Sequence, residues 1–243
     1  MVHVDRNGDC VWQPGETLLA GVTIQLLDGE GNVIATTLTD AMGEYSFTNL
    51  LPGDYVVREE MSPGWVQSLP GAKALVSHAL SLSPGDIVEG LDFANAQEVS
   101  ISGRKWLDAN ANGVRDPGEP GLPNFRIYLD LDRNGVLTRD PVTLLPIEPL
   151  AITLPDNPGT PEDEAGTYRF TGLLPGTYFV AEVPELGWQQ TWPGAGSLFG
   201  HFLDLEGGTS KTGADFGNRR VGDCNGDGRI DLHEWGSGNP GAL

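Results

Sequence analysis

The sequence predicts an all-β protein: two β-sandwiches in tandem, followed by a short appended loop. Three observations carry this. Apolar residues alternate with period two, as in Val22, Ile24 and Leu26 against Thr23 and Gln25, and in Phe125, Ile127 and Leu129 against Arg126 and Tyr128. That period places one set of side chains on a buried sheet face. The 34 Gly and 18 Pro punctuate the chain with turns, and no segment before the C-terminus keeps a helical period. Finally, the chain repeats itself. Phe47-Thr48-Asn49-Leu50-Leu51-Pro52-Gly53-Asp54-Tyr55-Val56-Val57 returns 123 residues later as Phe170-Thr171-Gly172-Leu173-Leu174-Pro175-Gly176-Thr177-Tyr178-Phe179-Val180.

Gly64-Trp65 and Gly187-Trp188 keep the same offset, as do Asp92-Phe93-Ala94-Asn95 and Asp215-Phe216-Gly217-Asn218. Within each half, Tyr45 with Phe47 and Tyr168 with Phe170 repeat the alternation after a turn. Leu-Pro-Gly at 51–53 and 174–176 feeds strands led by Tyr55 and Tyr178. Turns every eight to twelve residues suit a sandwich. The expected domains are 1–97, 98–220 with an insertion around 139–166, and 221–243. The insertion is rich in Pro (Pro141, Pro146, Pro149, Pro155, Pro158, Pro161) and marks a long excursion. The last segment is an appendage too short for its own core.

Asp108-Ala109-Asn110-Ala111-Asn112-Gly113-Val114-Arg115-Asp116-Pro117-Gly118-Glu119 is a calcium loop by spacing. Asp108, Asn110, Asn112, Asp116 and Glu119 offer side-chain oxygens, Val114 its carbonyl, and Gly113 the sharp turn. The register recurs in Asp5, Asn7, Asp9, Val11, Gln13 and Glu16, with Cys10 where the Gly belongs. It recurs again in Asp223, Asn225, Asp227, Arg229, Asp231 and Glu234. A further copy, Asp130, Asp132, Asn134, Val136 and Thr138, has Pro141 in place of the terminal Glu, so an ion there calls on Asp140 or on water. A lone cluster of this kind is often only a polar turn; three copies with the Glu in register point to Ca2+.

The formal charge of −20 argues against a nucleic-acid partner. Ten of the carboxylates sit in the three complete loops (Asp5, Asp9, Glu16, Asp108, Asp116, Glu119, Asp223, Asp227, Asp231, Glu234). No apolar run is long enough to insert in a membrane, and no charged and apolar leader opens the chain, as expected of a mature segment. Cys10 and Cys224 make no disulfide framework or zinc set; a bridge between them and two free thiols both remain open. His3, His78, His201 and His233 share no metal spacing and no nucleophile motif, so no enzyme is expected.

The run 103–122 (Gly-Arg-Lys-Trp-Leu-Asp-Ala-Asn-Ala-Asn-Gly-Val-Arg-Asp-Pro-Gly-Glu-Pro-Gly-Leu), the Asp-x-x-Gly-x-Tyr-x-Phe motif and the Leu-Pro-Gly-x-Tyr-x-Val motif resemble the B domains of serine-aspartate-repeat surface proteins. These belong to the collagen-adhesin B-type class. The resemblance covers roughly residues 1–220, two copies, and implies Greek-key, prealbumin-like sandwiches in a calcium-bound stalk at the cell surface. It also matches Asp40 and Asp163 to a turn acid that adds a calcium ligand or caps the turn. The C-terminal loop is similar to half a dockerin, or to an EF-hand-like calcium repeat. Related domains join a Lys on the first strand to an Asn on the last with help from a core Glu. Here Lys105, Glu182 and Asn218 stand at those places, while the first half has Glu59 and Asn95 but Val2 for the Lys.

The function expected is a non-enzymatic, extracellular structural module: a calcium-stiffened spacer of an adhesin, matrix or surface-layer protein. Its partners are calcium ions and other copies or neighbouring surface proteins, and head-to-tail polymerisation is a variant of this reading. The alternative is a protein- or carbohydrate-binding adhesin module presenting Trp12, Trp106, Trp192 or Trp235.

Overall fold

In a computed structural model of the chain, residues 1–71 and 77–221 are described. The predicted loop of Asp223, Asn225, Asp227, Arg229, Asp231 and Glu234, with Cys224 and Trp235, lies outside them. The chain forms two compact units. Unit 1 is Met1–Val99 with Gly172–Gly176 and Glu206–Thr209; unit 2 is Ser100–Thr171, Thr177–Leu205 and the chain from Ser210.

Unit 1 contains β1 (Val2–Val4), β2 (Thr23–Asp28), β3 (Val33–Leu38), β4 (Gly53–Glu59), β5 (Trp65–Leu69), β6 (Ser77–Leu82) and β7 (Phe93–Gln97). They form two sheets, β1-β7-β5 and β3-β2-β4-β6. The chain changes sheet after β1, after β4, after β5 and after β6. The first and last strands, β1 and β7, run parallel, with Val2 opposite Phe93 and Val4 opposite Asn95. Val2 and Phe93 from one sheet meet Ile24, Leu26 and Val57 from the other in one buried cluster, flanked by Tyr45, Phe47, Tyr55 and Leu80. Each such aliphatic contributes about 1.5–3 kcal/mol through burial. This is a β-sandwich.

Unit 2 is built alike from β8 (Val99–Leu107), β9 (Arg126–Leu129), β10 (Leu150–Ile152), β11 (Thr167–Leu173), β12 (Gly176–Glu182), β13 (Trp188–Trp192), β14 (Gly200–Leu205), β15 (Ser210–Lys211) and β16 (Phe216–Arg220). Its sheets are β10-β9-β12-β14 and β11-β8-β16-β13, with β15 also on β8. Again the strand that opens the unit runs parallel to the one that closes it: Lys105 lies opposite Phe216, and Leu107 opposite Asn218. Ile127, Leu129, Tyr168, Phe170, Val180 and Phe216 are buried. The only helical element among the described residues is a short 3-10 turn, Ala195–Ser197.

Two differences between the halves concern the prediction. The alternation at Tyr168 and Phe170 lies in β11, whereas Tyr45 and Phe47 lie in no strand. β11 pairs with the nine-residue β8, and β1 is three residues long. Tyr45 keeps its place by packing and by donating its hydroxyl to the Leu91 carbonyl. Within the expected insertion, β10 pairs antiparallel to β9 with Leu150 opposite Tyr128.

Candidate functional site

The most unusual side chain in unit 2 is Lys105, which is 0% exposed. Alternation along β8 points it into the sandwich, where its amine engages a carboxylate oxygen (Oε2) of Glu182. The amine also donates to Asn218 Oδ1 at 2.7 Å. Asn218 Nδ2 in turn donates to Glu182 Oε1 at 2.7 Å, closing a three-membered ring of contacts. Glu182 and Asn218 are buried, and the Phe125 ring lies 4.5 Å from the amine. Burial pushes the Lys105 amine below its ordinary value, while the adjacent Glu182 acts in the opposite direction. The three residues come from β8, β12 and β16, so the first and last strands are clasped through the facing sheet. The three residues singled out in the sequence are therefore brought together.

Unit 1 holds the corresponding acid and amide without the amine. Asn95 Nδ2 donates to Glu59 Oε1 at 2.6 Å, and Val2 occupies the Lys105 place opposite Phe93. Burial raises the Glu59 carboxyl to about 7, against a weaker lowering by Asn95.

The acidic loops share one backbone design. In the loop from Asp108, its carboxylate accepts Asn112 N–H at 3.1 Å and Gly113 N–H at 2.8 Å, and Glu119 accepts Ala109 and Asp116 N–H. In the loop from Asp5, the carboxylate accepts Gly8 and Cys10 N–H, and Glu16 accepts Arg6 and Gln13 N–H. Cys10 adopts φ 65°, the left-handed region that Gly113 and Gly135 occupy at the same loop position. Its thiol lies 3.2 Å from the Ser68 carbonyl, and burial raises its pKa.

The loop from Asp130 follows the pattern with a different terminal acid. Asp130 accepts Asn134 and Gly135 N–H. Glu148, not Asp140, accepts Leu131 N–H at 2.8 Å and Thr138 N–H at 2.9 Å, as Glu119 does for its own second and ninth residues. Oxygens of Asp130, Asp132 and Glu148 lie within 4.8 Å of one another. Asp140 instead caps a turn, accepting Val142 and Thr143 N–H. The signal for Glu148 was non-local: extending the β9–β10 register by two residues sets it opposite Asp130.

Asp40 and Asp163 take turn roles. Asp40 accepts Met42 and Glu44 N–H. Asp163 pairs with Arg104 at 2.8 Å and Arg115 at 3.3 Å, and the Arg104 contact holds its carboxyl below the usual range. Trp106, offered above as an exposed contact, is buried at 3%, whereas Trp12 and Trp192 are exposed at 40% and 44%.

A family profile described as "SdrD B-like domain" matches residues 1–75 and 99–204. The chain belongs to the SdrD B-like domain family. It is 28% identical over 220 residues to serine-aspartate repeat-containing protein D of Staphylococcus aureus (strain Newman), covering 87% of this chain and 15% of that protein. It is 27% identical over 205 residues to serine-aspartate repeat-containing protein F of Staphylococcus epidermidis (strain ATCC 12228 / FDA PCI 1200), covering 81% and 11%. The chain thus spans a small part of these B-domain relatives' length. Among solved structures, the minor pilin GBS52 of Streptococcus agalactiae matches with TM-score 0.33 and 15% identity, over 90% of this chain and 95% of that one. The Bacillus anthracis TIE protein matches with TM-score 0.31 and 15% identity, over 90% and 34%.

Proposed function

We propose that this chain is a non-enzymatic structural module of an extracellular surface protein. In this reading it consists of two tandem B-type sandwiches that transmit tension, the second closed by an amide between Lys105 and Asn218. The observation that carries it is the buried contact of Lys105 with both Glu182 and Asn218. Burial favours the neutral amine, which is the nucleophilic form. Nζ attacks Asn218 Cγ, a Nζ–Cγ bond forms, and the Cγ–Nδ2 bond breaks. Glu182 touches both nitrogens; it takes a proton from the amine and passes one to the departing nitrogen, which leaves as ammonia. No oxidant or cofactor is needed.

The acidic loops fit Ca2+ by the chemistry of their donor set, carboxylates, Asn oxygens and a backbone carbonyl at the loop spacing, and in the loop from Asp130 the oxygens of Asp130, Asp132 and Glu148 lie within 4.8 Å of one another. In unit 1 the ligands are Asp5, Asn7, Asp9, Val11, Gln13 and Glu16. In unit 2 they are Asp108, Asn110, Asn112, Val114, Asp116 and Glu119, and then Asp130, Asp132, Asn134, Val136 and Thr138 with Glu148. A bound cation offsets the mutual repulsion of the carboxylates and stiffens each loop against its sandwich. The cell-surface setting is supported by the serine-aspartate-repeat relatives.

Pulling the full chain by its ends in a force spectrometer tests this reading. The contact joins residues 113 apart in sequence, so a cross-linked unit 2 cannot pay out the segment between them. An extension that includes that segment contradicts the reading. Repeating the pull in chelator should lower the force at which unit 1 yields, and an unchanged force argues against structural calcium.

A further inference from the structure

We infer that residue 2 alone decides whether unit 1 closes a covalent cross-link. Glu59 and Asn95 form a complete acid and acyl-acceptor pair, and a primary amine carried at residue 2 becomes an amide of Asn95. This rests on the cross-link reading of unit 2 for its chemistry, but on unit 1 for its geometry.

The correspondence is atom by atom. Val2 N–H donates to the Gly43 carbonyl at 2.8 Å, as Lys105 N–H does to Gly166 at 2.8 Å; Leu19 N–H donates to the Val2 carbonyl at 2.9 Å, as Leu122 N–H does to Lys105 at 2.9 Å. Asp5 N–H reaches the Asn95 carbonyl at 2.8 Å, and Asp108 N–H reaches that of Asn218 at 2.9 Å. The residue-2 backbone is therefore held as the residue-105 backbone is. Glu59 lies opposite Ile24 across β2–β4, and Glu182 lies opposite Ile127 across β9–β12. The Asn-to-Glu hydrogen bond is 2.6 Å in one unit and 2.7 Å in the other.

What differs is what is left over. Glu59 Oε2 and Asn95 Oδ1 are buried with no hydrogen-bond partner. These are the counterparts of the two atoms that the Lys105 amine engages, Glu182 Oε2 and Asn218 Oδ1. Two buried acceptors left open at the equivalent atoms describe the place of a missing ammonium or amine, since unpaired buried polar atoms are rare and costly. Val2 is itself fully buried and supplies only methyl groups. Burial also keeps Glu59 protonated up to about 7, the state in which it can donate to the Asn95 amide and polarise it. With an amine present, the balance is that of unit 2: Nζ–Cγ forms, Cγ–Nδ2 breaks, and the Glu59 carboxyl relays the proton to departing ammonia.

The test is Val2→Lys in the full chain, read by intact mass and by mapping branched peptides. The expected result is loss of one more ammonia than the unsubstituted chain, with a branched peptide joining residue 2 to Asn95. A natively folded V2K chain without that peptide overturns the inference. If the unsubstituted chain loses no ammonia while V2K loses one at Asn95, the inference stands and the unit 2 cross-link fails. The double variant V2K/E59Q should keep an intact Asn95 amide; cross-linking at an undiminished rate overturns the role given to Glu59. Should V2K fail to fold, 13C NMR of the unsubstituted chain decides, with the Glu59 carboxyl assigned by its absence in E59Q. A neutral carboxyl at pH 5.5 is expected, and an ionised one overturns the inference.

Discussion

Units 1 and 2 place a glutamate and an asparagine at equivalent points of equivalent strands, yet only unit 2 adds a lysine. In unit 2 every polar atom of the trio has a partner, and the strands that open and close the sandwich are held through it. In unit 1 the same acid and amide are left with two open acceptors. One side chain on the first strand thus separates a sandwich poised for the proposed covalent closure from one held by packing, hydrogen bonds and its loop. The lesson is physical: a reactive centre in a core is made by desolvation, and desolvation without the amine leaves only a cost.

The largest expected effect comes from erasing the difference. Lys105→Met makes unit 2 resemble unit 1. By the chain-entropy argument used for disulfides, removing a closed loop of this length costs about 4–5 kcal/mol. Calorimetry should show the unit 2 transition falling well below its original position while unit 1 stays put. A shift of both transitions, or of neither, would contradict a cross-link confined to unit 2.

Calcium removal should have a smaller effect and should touch both units. A site filled at one hundred times its dissociation constant adds about 2.7 kcal/mol, and weaker extracellular sites add less. Chelation should therefore lower both transitions. Glu119→Gln and Glu148→Gln should each lower only that of unit 2, each removing one ion from the calcium count. Asp140→Asn should leave the count unchanged; a lost ion in that variant would restore Asp140 as the ligand.

Changing pH should separate the units more gently. The Glu59 proton is held to about 7 in the folded chain, against an ordinary value of 4.5. A carboxyl raised in this way stabilises the fold fully below its unfolded value and gives that up as pH rises to its folded value. Unit 1 should thus lose about 1–2 kcal/mol between roughly pH 4.5 and 7, after allowance for partial exposure of the group. Unfolding measured across that range should flatten in Glu59→Gln, and a persisting slope would assign the effect to another group. Smallest is Asp163→Asn, whose carboxylate is half-exposed, so solvent screens its ion pairs and little stability should be lost. A larger loss in a denaturant titration would give Asp163 a role beyond its turn.

Much of this was legible locally. Alternation at Val22–Leu26 and Phe125–Leu129 announced β2 and β9, because period two and a buried face are the same fact. The acidic loops that begin at Asp5 and Asp108, 103 residues apart (108 − 5), announced that Lys105 and Val2 share a place. What stayed hidden depends on contacts far apart in sequence. Glu148 reads as one acid among the prolines and aliphatics of 144–150 until β10 pairs with β9. Tyr45 and Phe47 read as a strand like Tyr168 and Phe170, but only β11 has a partner strand long enough to pair with. Trp106 read as a candidate surface aromatic, yet its neighbour Gly217 leaves it room to lie flat: a Cβ at residue 217 would come within 2.8 Å of the indole.

If unit 2 is closed by a covalent bond that unit 1 lacks, mass spectrometry of the unsubstituted chain will register it. The expected intact mass is lower than that of the sequence by one molecule of ammonia, with digestion yielding a single branched peptide that joins Lys105 to Asn218. An intact mass equal to that of the sequence, with separate linear peptides carrying Lys105 and Asn218, would contradict it.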